Sequence, residues 1–328
     1  MRAVLCTEYG SHNKLVLDGV PYPTPGPGQV LIDVRAASLN FPDLLVIRGE
    51  YQFKPEPPFV PGAEAAGVIA ALGEGVTGFT VGQRVTSFGV AGAFAESRVA
   101  DSGMVVPIPD EISFETAAAM TMAYGTSYHA LRQRGHLQPD ETLLVLGAAG
   151  GVGSAAVEIG KVLGATVIAA ASSDQKLEFC SSIGADHTIN YSTEDLRSRV
   201  KEITGGHGAD VIYDPVGGDL ADPAFRSIAW GGRYLVIGFA AGDVPAIPLN
   251  LPLLKVASIV GVFFGSFSGT QPQVAAANLE EISRMIVAGE LNPPITETFP
   301  LERVIDAFEL LVSRKAMGKV VVTIHEQR

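Results

Sequence analysis

Residues 143–153 read Leu-Leu-Val-Leu-Gly-Ala-Ala-Gly-Gly-Val-Gly, and a helix-compatible stretch follows at residues 154–163. A continuous apolar run is typical of a parallel strand buried on both faces. Gly147 permits a tight turn, Gly150 lets the backbone approach a phosphate, and Gly153 lets a helix pack closely on the strand. The helix start offers N–H groups to an anion, so the stretch predicts a dinucleotide pyrophosphate site. The predicted cofactor-binding residues of the loop are Gly147, Ala149, Gly150, Gly151, Val152 and Gly153.

The sequence around this loop alternates between apolar runs and helical stretches. The predicted strands span residues 143–146, 166–171, 187–189, 211–214, 234–237 and 258–263. The predicted helices span residues 114–132, 154–163, 174–183, 195–204 and 220–229. Such alternation predicts βαβ units on a doubly wound parallel sheet. The glycine pattern alone is weak evidence for a cofactor site. Its spacing differs from the commonest G-x-G-x-x-G, and 37 glycines in 328 residues make chance turns frequent, so the surrounding βαβ pattern is needed to support it.

The first third of the chain has a different character. Short β-like runs at residues 30–37, 66–72, 84–88 and 94–99 are separated by glycines, which predicts a small antiparallel β-barrel. Residues 272–288 and 301–313 have helical patterns, and residues 318–324 form a final predicted strand. The predicted fold class is α/β, an antiparallel β-barrel together with a doubly wound parallel sheet.

Composition disfavours several kinds of partner. The formal net charge is −12 and there is no Lys/Arg-rich run, so neither nucleic acid nor an anionic membrane is expected as the main partner. The chain has no apolar span of 18 residues, and its first eight residues do not resemble a signal peptide. Cys6 and Cys180 cannot form a disulfide framework, which is consistent with a reducing cytoplasm.

The end of the second predicted parallel strand indicates which nicotinamide cofactor is bound. An acidic residue at this position binds the ribose 2′-hydroxyl of NAD, whereas here Ala171 is followed by Ser172 and Ser173. Asp174 comes too late to lie at the strand tip, and Lys176 follows closely. Hydroxyls and a lysine suit a 2′-phosphate, so the sequence predicts NADPH over NADH. The alternative is that the serines cap the next helix and the lysine is a solvated surface charge.

Four separated segments resemble the medium-chain dehydrogenase/reductase superfamily, in its zinc-free quinone oxidoreductase (zeta-crystallin-like) branch. They are residues 61–67 (PGAEAAG), 78–85 (GFTVGQRV), 148–153 (AAGGVG) and 318–321 (GKVV). The resemblance implies a GroES-like catalytic domain at residues 1–120, completed by residues 264–328, and a Rossmann NADP-binding domain at residues 121–263. It also implies a homodimer that pairs the edge strands at residues 258–263. Glu158 stands where the branch usually has a glutamine.

The resemblance places cofactor contacts on several segments. Asn40 and Thr126 are expected near the nicotinamide and its ribose or carboxamide, and Tyr191 near the adenine phosphate. The residues expected to border the cofactor after the fifth and sixth strands are Gly238, Phe239, Phe263, Phe264 and Gly265. Simpler roles stay open: a helix cap for Asn40, a hydroxyl bonded back to the preceding turn for Thr126, and packing for the aromatic residues.

Tyr51 and Asn40 are the candidate catalytic residues. Tyr51 precedes a proline-rich loop, and a phenol in a pocket can orient an acceptor oxygen or give it a proton. Tyr51 could equally pack under the loop, with water supplying the proton. Asp43 is expected to hold the Asn40 loop and Glu64 to support the barrel-side wall, and neither is interpreted as an acid catalyst.

No metal is expected. The segment around residues 40–43 contains no cysteine, and Ala63 stands where zinc-dependent members have a histidine. The histidines form no short-spaced ligand pair; they are His12, His129, His136, His187, His207 and His325. Without a Lewis acid the oxidation of an alcohol is difficult, whereas reduction of an electron-poor acceptor needs none.

The sequence therefore predicts an NADPH-dependent, zinc-free oxidoreductase that reduces quinones by electron or hydride transfer. The alternative enzyme is an enone or short enoyl-thioester reductase, which would use the same cofactor site. A coenzyme A ester would call for a basic patch, and the sequence shows none clearly. The alternative from another class is a redox-silent NADPH-binding structural or RNA-associated protein, although the net charge of −12 argues against broad RNA binding.

Overall fold

The computed structural model describes residues 1–324, and their contacts divide into two compact units. Unit 1 contains Met1–Met122, Gly265–Gly289 and the residues from Pro293 onward, and unit 2 contains Ala123–Phe264 and Glu290–Asn292. The sequence-based domain boundaries, at 120/121 and 263/264, did not set apart the short segment Glu290–Asn292. They remain a proposal about which parts fold independently.

Strands and helices follow one another as βαβ units only in the middle of the described chain. The strands are β1 (Arg2–Leu5), β2 (Val16–Gly19), β3 (Gln29–Ser38), β4 (Glu64–Leu72), β5 (Arg84–Phe88), β6 (Ser97–Asp101), β7 (Val105–Pro107), β8 (Thr142–Leu146), β9 (Thr166–Ala171), β10 (His187–Asn190), β11 (Ala209–Asp214), β12 (Ile228–Val236), β13 (Ser258–Gly261), β14 (Ile295–Pro300) and β15 (Lys319–Thr323). The helices are α1 (Phe41–Arg48), α2 (Phe114–Tyr128), α3 (Gly151–Val162), α4 (Asp174–Ser182), α5 (Leu196–Ile203), α6 (Ala221–Arg226), α7 (Asn250–Lys255), α8 (Phe264–Thr270), α9 (Pro272–Val287) and α10 (Val304–Val312).

Unit 2 is built on a parallel sheet in the order β10-β9-β8-β11-β12-β13. The chain order reverses between β8 and β11, and ligands of such sheets bind at the carboxyl ends of the strands at this point. One face of the sheet, including Leu144, Ile168 and Ile212, packs against Val200 of α5 and Phe225 of α6. The predicted doubly wound parallel sheet is therefore confirmed, and β13 lies at its edge.

Unit 1 is built on a mostly antiparallel sheet in the order β14-β15-β3-β4-β5-β7, with β6 also pairing with β3. One pair differs from the all-antiparallel expectation, because β14 and β15 run parallel. Phe94, Phe308 and Val322 are among the fully buried residues of its core. The GroES-like part of the predicted fold class is supported by the family comparison described below.

Several predicted elements have other bounds in the structure; for example, the strand expected at residues 234–237 already starts at Ile228, and that expected at residues 258–263 ends at Gly261. The strand expected at residues 94–99 starts only at Ser97, because Phe94 is held in a loop by a 3.1 Å bond from its N–H to the Pro61 carbonyl. The helix expected at residues 220–229 ends at Arg226, because Ile228 already pairs with Ala209 in the sheet. The helix expected at residues 114–132 continues beyond Tyr128 as a π-helical turn.

Within residues 1–324, each helix is too short or too polar to cross a lipid bilayer.

Candidate cofactor and acceptor sites

The glycine loop of unit 2 lies between β8 and α3. Gly147 has a φ of +57°, and a Cβ on Gly153 would lie 2.3 Å from the Gly147 carbonyl oxygen. Gly150 is the N-cap of α3 and offers no side-chain cap to the N–H groups of the first turn. A Cβ at Gly150 would have the Gly147 oxygen as its only near atom, at 3.4 Å. The loop thus combines close helix–strand packing with an open, uncapped helix start, which fits a pyrophosphate.

The second half of α2 is tied to this helix start. The Ser127 hydroxyl donates to the Val152 carbonyl at 2.9 Å and lies 2.8 Å from the Tyr213 hydroxyl. Thr126 is 7% exposed, and within residues 1–324 its hydroxyl has no hydrogen-bond partner, the preceding helical turn included. The structure therefore does not contain the alternative hydrogen bond from the Thr126 hydroxyl to the preceding turn of the helix. The hydroxyl oxygen is not fully buried, so a ligand can bind to it.

The carboxyl end of β9 brings together the residues predicted to recognise the adenine phosphate. The Lys176 ammonium lies 3.3 Å from the Ser172 hydroxyl, and the Tyr191 N–H donates to the Ala171 carbonyl at 3.1 Å. Ser173 is the N-cap of α4, as the alternative interpretation expected. Asp174 accepts a 2.8 Å bond from Asn190 and does not lie at the strand tip. The strand end therefore presents hydroxyls and a lysine where NAD-binding chains have a carboxylate.

Sequence reasoning missed Asp214, the last residue of β11, whose carboxylate holds the loop that follows and bonds to β12. One carboxylate oxygen accepts the N–H groups of Val216 and Gly217, at 2.7 and 2.9 Å, and the other accepts the Tyr234 hydroxyl. A Cβ on Gly217 would lie 2.9 Å from Phe239, so Phe239 lies directly on this loop. An aspartate between a buried strand and the run Pro-Val-Gly-Gly is the signal that could have revealed it.

The other predicted cofactor neighbours are spread over both units. The Gly238 N–H lies 3.3 Å from the Asp214 carbonyl. Phe263 is 43% exposed, whereas Phe264 is buried at the start of α8. Gly265 belongs to unit 1 and the two phenylalanines to unit 2. Their contacts with a cofactor remain predictions.

Unit 1 contains a buried polar cluster on β4, β15 and the start of α1. The Lys319 ammonium donates to the Asn40 amide oxygen at 2.7 Å, to Glu64 at 3.0 Å and to the Leu39 carbonyl at 3.2 Å. Glu64 also accepts the Asn40 amide at 2.7 Å and the Met122 N–H at 2.6 Å. All five groups are inside unit 1, and the ion pair is almost fully buried. Sequence reasoning missed Lys319, although it lies in the recognised segment 318–321.

Asn40 is engaged more fully than its predicted role suggests. Its amide hydrogens go to Glu64 and, at 3.3 Å, to the Ser38 carbonyl, and its N–H donates to Asp43 at 2.8 Å. Asn40 stands at the N-cap position of α1, but its side chain makes no bond to the helix, and the reciprocal contact is the Asp43 carboxylate accepting the Asn40 N–H. Only acceptor capacity on the amide oxygen is left for a ligand, and its contact with a cofactor remains a prediction.

Two further ionisable groups lie against this cluster. Burial raises the pKa of Asp43 to about 7; the Asn40 N–H and Lys319 lower it, and Glu64 raises it. Burial lowers the pKa of Arg98 to about 10, against the opposing influence of Asp43 and Glu64. Burial, followed by the Asp43 charge, raises the pKa of Tyr51. The Asp43 charge therefore influences the pKa of both the buried guanidinium and the candidate phenol.

Among residues 1–324 no group of three His, Cys, Asp or Glu side chains is placed to hold a metal ion. Three histidines bond to ordinary side-chain partners: His12 to Glu309, His129 to Gln133 and His207 to Asp210. His325 lies outside the described residues.

Known protein families match segments in both units of the chain. The alcohol dehydrogenase GroES-like domain family matches residues 26–110, and the zinc-binding dehydrogenase family matches residues 151–281. Quinone oxidoreductase-like protein 2 homolog of Nematostella vectensis is 40% identical over 98% of this chain and 88% of its own length. The chain therefore belongs to the medium-chain dehydrogenase/reductase superfamily of oxidoreductases, in the zinc-free quinone oxidoreductase branch that its motifs indicated.

Solved structures agree with this assignment. Escherichia coli quinone oxidoreductase complexed with NADPH is 28% identical, with a TM-score of 0.93 over 99% of this chain and 100% of the other. The CurK enoyl reductase is also 28% identical, with a TM-score of 0.88 over 99% of each chain.

Proposed function

We propose that this protein is an NADPH-dependent reductase of quinones. The observation that carries the cofactor assignment is the end of β9, where the Lys176 ammonium meets the Ser172 hydroxyl, the Tyr191 backbone pairs with Ala171, and the strand tip has no carboxylate. The E. coli relative, solved with NADPH, supports the same choice. The name of the Nematostella relative supports a quinone as acceptor.

Different residues bind different parts of NADPH. The uncapped first turn of α3 holds the pyrophosphate, and the Lys176 charge with the Ser172 hydroxyl holds the 2′-phosphate. The unpartnered Thr126 hydroxyl binds the nicotinamide end. NADPH supplies the hydride when bound. Tyr51 orients the acceptor oxygen, and its hydroxyl has no hydrogen-bond partner among the described residues.

NADPH oxidation, followed by absorbance with a panel of acceptors, tests this function. We expect turnover of 1,4-benzoquinone or 9,10-phenanthrenequinone and a KM for NADPH well below that for NADH. No quinone turnover would overturn the acceptor assignment, and an NADH preference would overturn the cofactor assignment. Tight NADPH binding, detected through Trp230 fluorescence, without turnover of any acceptor would instead favour the redox-silent alternative.

A second candidate function is reduction of an enone or short enoyl thioester. The likeness to the CurK enoyl reductase favours it, and so does the unengaged Tyr51 phenol, because reduction of a conjugated carbonyl requires a proton on carbon. Turnover of 2-hexenal or acrylyl-CoA without turnover of quinones would establish this candidate.

We further propose a homodimer through the outer edge of β13. Within the described chain that edge has no strand partner, and Ile259 on it is 43% exposed. Leu249, Leu253 and Leu254 at α7 are more than 70% exposed, an apolar surface that a second copy would cover. A cytoplasmic location remains a prediction for cell fractionation to test.

A further inference from the structure

Asn190, the last residue of β10, connects the two segments that carry the proposed contacts to the 2′-phosphate. Its side-chain amide donates to the Asp174 carboxylate at 2.8 Å, and its amide oxygen accepts the Ser192 N–H at 3.1 Å. Asp174 is the first residue of α4, the helix that carries Lys176, and Ser192 directly follows Tyr191. Asn190 is 8% exposed and its side chain is bonded at both ends, so it bridges α4 and the loop after β10.

The orientation of the Asn190 amide is determined by its partners. A carboxylate only accepts and a backbone N–H only donates, so the amide nitrogen faces Asp174 and the amide oxygen faces Ser192. The backbone of Asn190 is held separately, because its N–H donates to the Glu194 carboxylate at 2.8 Å and its carbonyl accepts the Glu194 N–H at 2.8 Å. A change of the side chain therefore removes the bridge and leaves these backbone bonds in place.

Each end of the bridge leads to one of the proposed phosphate contacts. On the loop side, the Ser192 hydroxyl donates to the Ser172 carbonyl at 3.0 Å. On the helix side, Asp174 precedes Lys176 by two residues in the first turn of α4, and the Lys176 ammonium lies 3.3 Å from the Ser172 hydroxyl. Asn190 thus acts on Ser172 through Ser192, and on the start of α4 through Asp174.

We propose that Asn190 is a positioning residue for the 2′-phosphate, and that the preference for NADPH depends on its side-chain amide. The proposal rests on the proposed function and extends it, because it assumes that Ser172 and Lys176 bind the phosphate. Hydrogen bonds from a hydroxyl and an ammonium to a phosphate weaken steeply when donor and acceptor move out of line. NADH has a hydroxyl in place of this phosphate, so loss of the bridge weakens the binding of NADPH much more than that of NADH.

Asn190→Leu tests the bridge without adding a charge. Leucine branches at the same carbon as asparagine but makes neither hydrogen bond, and the exposed Asp174 carboxylate can turn to water. We expect the Kd for NADPH, measured by calorimetry without any acceptor, to rise about tenfold and the Kd for NADH to change less than twofold. Equal changes for both cofactors would indicate a merely structural residue and would overturn the proposal.

A second test exchanges the donor and the acceptor of the bridge. In Asn190→Asp alone, two carboxylates face each other, and the Kd for NADPH should rise at least as much as in Asn190→Leu. Combining Asn190→Asp with Asp174→Asn lets an amide face a carboxylate again, and the carboxylate introduced at position 190 still accepts the Ser192 N–H. We expect the Kd for NADPH in this double variant to return to within about threefold of the wild type. A double variant as weak as Asn190→Asp would overturn the proposal.

The control and the wild type complete the experiment. Glu178→Gln removes a charge from an exposed position one turn beyond Asp174 on α4, and should leave the Kd of both cofactors unchanged. Equal Kd values for NADPH and NADH in the wild type would overturn the proposed cofactor, and the role of Asn190 with it. A wild-type preference for NADPH that persists in full in Asn190→Leu would overturn the role of Asn190 alone.

Discussion

The Ser127 hydroxyl donates a hydrogen bond to the Val152 carbonyl oxygen, 2.9 Å away, and meets the Tyr213 hydroxyl at 2.8 Å. Val152 lies in the first turn of α3, the turn proposed to hold the pyrophosphate. Within unit 2, one buried serine therefore ties the last turns of α2, with Thr126 beside it, to the start of α3.

Replacing Ser127 by alanine should weaken both folding and cofactor binding. The fully buried Tyr213 hydroxyl loses its partner, which costs about 1–3 kcal/mol of unfolding free energy. The Kd for NADPH, measured by Trp230 fluorescence, should rise several-fold. Ser182→Ala, in the exposed last turn of α4, is the control; equal effects of both substitutions would contradict the assignment.

Gly153→Ala should damage the glycine loop. Its Cβ would approach the Gly147 oxygen to 2.3 Å and the Ala148 Cα to 2.8 Å, both of them backbone atoms. Such overpacking costs about 1–3 kcal/mol and should raise the Kd for NADPH at least tenfold. Gly269→Ala, where a Cβ meets nothing within 4 Å, should change neither stability nor affinity appreciably. Wild-type affinity in Gly153→Ala would show that the loop does not bind the cofactor.

Lys176→Met should separate the two nicotinamide cofactors. Loss of a charge-assisted contact to the 2′-phosphate costs about 1.5–3 kcal/mol, so the KM for NADPH should rise roughly 10- to 100-fold. The KM for NADH, which has no such phosphate, should change less than twofold. Lys201→Met, on the exposed side of α5, is the control. Parallel changes for both cofactors would argue against a phosphate contact.

Glu158→Gln should change how stability depends on pH. Burial raises the pKa of Glu158, while the Tyr124 hydroxyl and the Asn292 N–H lower it. Because the folded state holds this proton more tightly than the unfolded chain, the wild type loses stability as the pH rises from about 4.5, and the glutamine variant lacks that loss. Urea unfolding at pH 4, 5, 6 and 7 measures the free energy of unfolding of both proteins. A difference in this free energy that stays constant with pH would refute the effect.

Ile259→Lys tests the proposed homodimer and should give a monomer. The substitution places a charge on the outer edge of β13, where a paired strand would bury it. Light scattering after size exclusion should give half the wild-type mass at the same protein concentration. Val81→Lys changes a 64%-exposed valine of unit 1 and should keep the wild-type mass. A monomeric wild type would refute the interface outright.

Local sequence patterns predict the parallel sheet well, because most of its strands contain an unbroken apolar stretch. Residues 166–171 were predicted as a strand and form β9 without a shift at either end. The helix predicted at residues 220–229 is wrong beyond Arg226, because the pairing of Ile228 with Ala209 in the sheet outweighs the helical pattern of the sequence there. Pairing between distant segments decides such ends, and a local pattern does not contain it.

In the candidate site, too, residues that are close in sequence could be predicted and residues brought together from distant segments could not. The glycine loop and the end of β9 are contiguous in sequence, so spacing alone places their residues together. The Lys319–Glu64 pair joins positions 255 residues apart, and its partner Asn40 is 279 residues from Lys319. No periodicity connects these residues. The charge environment of Asp43, assembled from three distant strands, was therefore outside the reach of sequence reasoning.

The pairing of β15 with β3 has a consequence for biosynthesis. Val321 pairs with Ser38, and Lys319 of the same strand completes the polar cluster around Glu64. At about 5–20 residues per second, a ribosome needs roughly 15–60 seconds to travel from β3 to β15. During that interval the edge of β3 at residues 36–38 has no β15 to pair with, and Glu64 has no counter-ion from Lys319. Unit 1 is consequently completed last, after the strands of the parallel sheet have all left the ribosome.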